Sequence, residues 1–124
     1  MASSTDRNVP NPYEGHAEYH CFGCDPASPV GLRRAFTTDG TIVRSRWTPR
    51  NDLEGYPGVI HGGIQATLAD EIGGWFIHVI NGTAGMTRTL TMTYHRPARS
   101  DDAPFFIEAR ETESDRKRCV VEVE

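Results

Sequence analysis

The stretch Gly63–Ile80 constrains the fold of this chain most, because it is the one convincing long helix in 124 residues. Ile64, Leu68, Ile72, Trp75 and Val79 recur at spacings of four and three, the period of one helix face. Ala66, Ala69, Phe76, Ile77 and Ile80 add apolar groups on other faces. A helix apolar over most of its circumference is expected to be buried rather than to lie on a surface. Asn81-Gly82 supplies its C-terminal stop.

Around that helix the chain reads as strand. Asp39-Gly40 is a hairpin turn between strands near 32–38 and 41–48. "GMTRTLTMTYHRP" (85–97) alternates in strand fashion and Pro97 closes it. "PFFIEARETESDRKRCVVEVE" reads as two further strands joined around Ser114–Arg116, with the charged run 115–118 as a solvated hairpin. The order β-β-α-β-β-β gives an α+β domain, an antiparallel sheet wrapped around one long central helix. Residues 1–15 read as a flexible N-terminal arm, residues 16–124 as the single domain, and 16–32 as an ordered loop. The chain ends in mid-pattern at "VVEVE", which is expected to leave a sheet edge.

Composition excludes several classes. A formal net charge of −4 argues against general nucleic-acid binding, though not against a local basic pocket for an anionic ligand. No apolar run reaches the ~18–20 residues of a membrane span, and the polar start "MASSTDRNVPNP" lacks a signal-peptide core. The expectation is a cytoplasmic protein. Three cysteines, Cys21, Cys24 and Cys119, do not make a disulfide framework.

The chemistry concentrates in "GVIHGGIQATLAD", Gly58–Asp70. The first turn of a helix carries N–H groups without intrahelical acceptors and a partial positive charge. Glycines there let a ligand approach the backbone, so Gly62 and Gly63 suit an oxygen bearing negative charge, such as the oxyanion of an attacked carbonyl. Tight packing of the helix start accounts for the same glycines. Asp70 lies two turns on, with Ala66, Gly73 and Gly74 as its helical neighbours. A carboxylate beside such small residues is hydrogen-bonded structure, or a general base or nucleophile. Glu71 points about 100° away, toward Thr67 and His78, the most polar side. Gly62 and Asp70 are eight residues apart, about 12 Å along a helix. One helix cannot bring both to the same carbonyl carbon, so a shared site requires Gly62 of one chain and Asp70 of another.

"HGGIQATLAD", in which the acid follows His61 by nine residues, resembles the hotdog-fold acyl-CoA thioesterases, in particular the group similar to the phenylacetate-pathway thioesterases. "GMTRTLTMTYHRPA" and "CFGCDPASPVGL", similar to the "CFGCGPxNPxGL" opening of many members, extend the likeness over residues 16–124. The resemblance implies hydrolysis of an acyl-CoA thioester to free acid and coenzyme A, without metal or organic cofactor. It implies a hotdog fold whose final strand is missing after Glu124, and a homodimer or homotetramer with active sites at the subunit interface. By the same resemblance the Gly62 N–H polarises the thioester carbonyl and His61 helps hold its oxygen, with Gly63 beside them. Asp70 of the partner chain acts as base or nucleophile, and Thr87 orients the attacking water. Arg96 and Arg99, flanking Pro97 in sequence, meet the phosphates of coenzyme A. Some relatives carry an asparagine six residues before the histidine; Gly55 stands there in this chain.

Three other readings compete. A non-catalytic acyl-CoA-binding sensor shares the fold and lacks the need for a positioned base. A hotdog dehydratase fits the histidine–acid spacing less well. A metal module rests on His16, His20, Cys21 and Cys24 alone, and without a second ligand pair the loop is expected to bind no metal. Trp75, Phe76 and Tyr56 are equally suited to lining an acyl pocket and to core packing.

Overall fold

The computed structural model describes residues 5–101, 104–115 and 119–123. Five antiparallel strands form one sheet in chain order: β1 (Arg7–Asn8), β2 (Thr37–Thr38), β3 (Val43–Trp47), β4 (Phe105–Ser114) and β5 (Cys119–Val123). A single long helix, α1 (Gly62–Ile80), packs across β3, β4 and β5. This is the expected α+β arrangement.

Pleating sets the core. Val43, Ser45 and Trp47 of β3 point inward and face Ala109, Ile107 and Phe105 of β4 in register. The helix answers with Leu68, Ala69, Ile72, Trp75 and Phe76, all buried. Trp75 stacks on Phe36 with ring centroids 5.5 Å apart, and Phe76 is fully enclosed. Core packing therefore accounts for both rings, whereas Tyr56 is 83% exposed. The helix is buried on one side only; Ile64, Ile77, Val79 and Ile80 are partly covered. An apolar stripe wider than one small sheet leaves apolar surface that a single chain does not enclose.

The Asp39-Gly40 turn forms as read. Asp39 Oδ1 accepts from the N–H groups of Thr41 and Ile42 at 2.9 Å each, and Gly40 supplies the left-handed φ of +97°. Those N–H groups, with Arg44, hold the Asp39 carboxyl below its usual range. The strand read over 32–38 shrinks to Thr37–Thr38. Leu32, Arg34, Phe36 and Thr38 do alternate inward. However, the Leu32 and Arg34 N–H groups donate to Phe22 and Gly23 carbonyls of the preceding loop, not to a strand ladder.

Two other segments bear on the expectations. Within residues 1–15, read as a flexible arm, Arg7 and Asn8 pair with β2 and Asp6 meets Arg44 at 2.7 Å. Residues 85–97, read as a strand, carry no sheet pairing among the described residues. Their alternation is real, but a strand exists only with a partner whose backbone completes its hydrogen bonds. The connection read around Ser114–Arg116, and most of the charged run with it, falls on residues 116–118, outside the described residues.

Candidate functional site

The helix start is held from three sides. The His61 N–H donates to the Leu53 carbonyl at 2.9 Å, and the Ile60 N–H to the Ala98 carbonyl at 2.8 Å. His61 is the N-cap, its Nδ1 accepting from the Gly63 N–H at 2.9 Å. That bond assigns the neutral tautomer: Nδ1 accepts, so Nε2 carries the proton and is free to donate. It also removes Gly63 from the pool of available donors. The Gly62 N–H, at the first helical position, has no acceptor among the described residues. Gly62 N–H and His61 Nε2–H are thus two donors at one helix terminus, where the dipole adds positive potential.

Tyr94 was not singled out by sequence. Its hydroxyl donates to the Gly62 carbonyl at 2.7 Å, and its ring lies 3.5 Å from where a Gly62 side chain would begin. Nothing in "MTYHR" distinguishes this tyrosine from any strand residue; only the path of the chain back along α1 brings it there.

Asp70 and Thr87 do come together. Thr87 Oγ1 donates to Asp70 Oδ1 at 2.5 Å. Residues 85–97 therefore run antiparallel to the helix: Gly85 lies against Ile77, Thr87 meets Asp70, and Tyr94 meets Gly62. On the same flank, a side chain added at Gly73 or Gly74 would find nothing within 4 Å. The carboxylate is half-buried and open on that side.

Gly62 and Asp70 remain at opposite ends of an eight-residue helical span within one chain. Two clefts among the described residues lie elsewhere, one against Arg7–Pro10 and His78, the other between Arg33, Arg46 and Arg50. Neither touches Asp70 or Gly62. Of the two arginines assigned to coenzyme A, Arg99 is exposed, pairs with Asp101 at 3.2 Å and sits beside Gly58. Arg96 is exposed without an ion pair among the described residues.

Glu71 does not point to a bare polar face. Its carboxylate accepts from Trp75 Nε1 at 3.1 Å and from the Cys21 thiol at 3.7 Å. The opening loop, for which the sequence shows no second ligand pair, thus meets an acid from the helix.

Comparison with known proteins agrees with this architecture. The family model for the thioesterase superfamily matches residues 57–124. A crystal structure of a thioesterase superfamily protein superposes with a TM-score of 0.67 at 25% identity, covering 84% of this chain. The chain spans 60% of that structure's length. No curated protein matches. No helix among the described residues is long and apolar enough to cross a membrane.

Proposed function

Since the chain belongs to the thioesterase superfamily, we propose that it hydrolyses an acyl-CoA thioester to free acid and coenzyme A, at two equivalent sites built between copies of the chain. The observation that carries this reading is the Asp70–Thr87 pair on an open flank of α1. A hydrolase needs a carboxylate held in one orientation yet reachable by water, and this one is both. Thr87 spends its single proton on Asp70, so its remaining lone pairs can accept from a water molecule. That water gives a proton to the free oxygen of Asp70 as its own oxygen attacks the thioester carbonyl.

The developing oxyanion is held by the Gly62 N–H and His61 Nε2–H of the partner chain. Collapse of the tetrahedral intermediate breaks the C–S bond, and the proton held on Asp70 passes to the leaving thiolate. Tyr94 positions the donor by holding the Gly62 carbonyl. The ~12 Å along α1 between Gly62 and Asp70 supports a dimer, as does the exposed apolar series Met86, Leu90 and Tyr94 on the 85–97 segment, which has no sheet pairing among the described residues. Arg96, exposed and without an ion pair among the described residues, is the arginine we assign to a coenzyme A phosphate.

The test is hydrolysis of a panel of acyl-CoAs followed with a thiol-reactive dye. Release of free coenzyme A above the uncatalysed rate supports the reading. Saturable binding with no release would make the chain a sensor instead.

A further inference from the structure

A second cluster, unconnected with hydrolysis, lies under the opening loop. Cys21 and Cys24 stand on one helical turn, closed by the Asp25 N–H donating to the Cys21 carbonyl at 3.1 Å, so both thiols face α1. Glu71 reaches them from the helix, and the two sulfurs and a carboxylate oxygen all lie within 4.8 Å of one another. A tetrahedral zinc with bonds of about 2.0–2.3 Å holds its donors roughly 3.3–3.8 Å apart. Little movement separates the cluster from that geometry.

The surroundings are shaped to this purpose. A side chain on Gly23 would begin 2.2 Å from Glu71 Oε2, so the carboxylate packs directly on the loop backbone. Trp75 Nε1 orients the carboxylate at 3.1 Å. The Tyr19 hydroxyl lies 2.6 Å from Cys24 Sγ, and Asn11 Nδ2 donates to that hydroxyl at 3.1 Å. Such outer bonds fix the ligands of a metal site. Arg34 is 4% exposed, and none of its three guanidinium nitrogens has a hydrogen-bond partner among the described residues. Two thiolates and one carboxylate around a divalent cation leave one net negative charge, which Arg34 balances. Left to themselves, the thiols are weak donors to a half-buried carboxylate.

We propose that Cys21, Cys24 and Glu71 bind a zinc ion, with water as the fourth ligand, pinning the loop to α1 beside Asp70. Zinc displaces the thiol protons, and the Tyr19 hydroxyl then donates to the Cys24 thiolate. The expectation of a metal-free loop rested on the lack of a second ligand pair in sequence. Glu71, fifty residues away in the chain, supplies the missing donor.

The experiment titrates the reduced, chelator-treated chain with zinc alone against a chromophoric competitor, and with cobalt(II) as a spectroscopic probe. One equivalent per chain is expected, with near-ultraviolet thiolate-to-cobalt absorption and a rise in Tm on adding zinc. Cys24→Ser should lose the equivalent and the absorption; Cys119→Ser, whose thiol meets Glu111 instead, should keep both. Should Cys24→Ser fail to fold, Glu71→Gln retains both thiols and should lose the Tm response. No saturable zinc uptake by the reduced wild type overturns the site, as does an undiminished equivalent in Cys24→Ser or an undiminished Tm response in Glu71→Gln.

Discussion

On its sheet side, α1 buries Leu68, Ile72, Trp75 and Phe76 against Val43, Trp47, Ile107 and Ala109. On its other side it offers Gly73 and Gly74 to open space, with residues 85–97 draped beside it and Met86 left 96% exposed. One helix, apolar nearly all round, is thus satisfied by its own chain on one flank only. The enclosed flank carries stability and no chemistry. The open flank carries Asp70 and Thr87, and it borders the strand-like segment 85–97, which has no pairing partner among the described residues. On the proposed reading, a second copy covers this surface and brings its helix terminus toward the carboxylate.

The sharpest way to break this contrast is to change each flank separately. Asp70→Asn preserves size and hydrogen bonding but cannot accept the water proton, so kcat should fall about 10²–10⁴-fold. Affinity for a non-hydrolysable thioether analogue should be unchanged, because the lost interaction belongs to the transition state. A fall in affinity with kcat preserved would assign Asp70 to binding. On the enclosed flank, Phe76→Ala should cost about 3–5 kcal/mol of stability by urea unfolding; a cost under about 1 kcal/mol would mean that the core is not where the packing puts it.

Legibility in the sequence followed the same divide. The helix, β3, β4 and β5 were readable because burial against one sheet imposes a period, and the period survives in Leu68, Ile72 and Trp75. Leu32, Arg34 and Phe36 alternate as read, but their hydrogen bonds go to the 22–23 loop, a choice no local pattern encodes. For 85–97 the alternation was equally clear and the pairing is absent among the described residues, since a strand pattern names a face and not a partner. Asp70 and Gly62 stand out from spacing and glycine chemistry, and His61 from the family resemblance. Tyr94, and the meeting of Glu71 with Cys21, were not, because contacts between residues 32 and 50 positions apart leave no trace in local sequence.

Smaller effects refine the comparison. Thr87→Val removes the hydroxyl at near-constant volume; loss of a hydrogen bond to a charged group should lower kcat roughly tenfold to a hundredfold. An unchanged rate would leave Asp70 oriented by other means. Met86→Ser should alter the unfolding free energy of the dissociated chain by no more than about 0.5 kcal/mol. In sedimentation it should instead raise the dissociation constant of the dimer; equal sedimentation of variant and wild type across concentration would remove Met86 from the interface.

The claim that each site draws on two chains is open to subunit mixing. Gly62→Pro deletes the N–H donor where proline fits best: the first helical position tolerates its ring, and His61, at φ −54° and ψ 135°, already has the extended backbone proline demands. Gly62→Pro and Asp70→Asn should each be nearly inactive alone. Unfolded together and refolded at equal concentration, they should recover about a quarter of wild-type activity, since half the dimers are mixed and each mixed dimer holds one intact site of two. No recovery, with mixed dimers demonstrated, would contradict a site shared between chains.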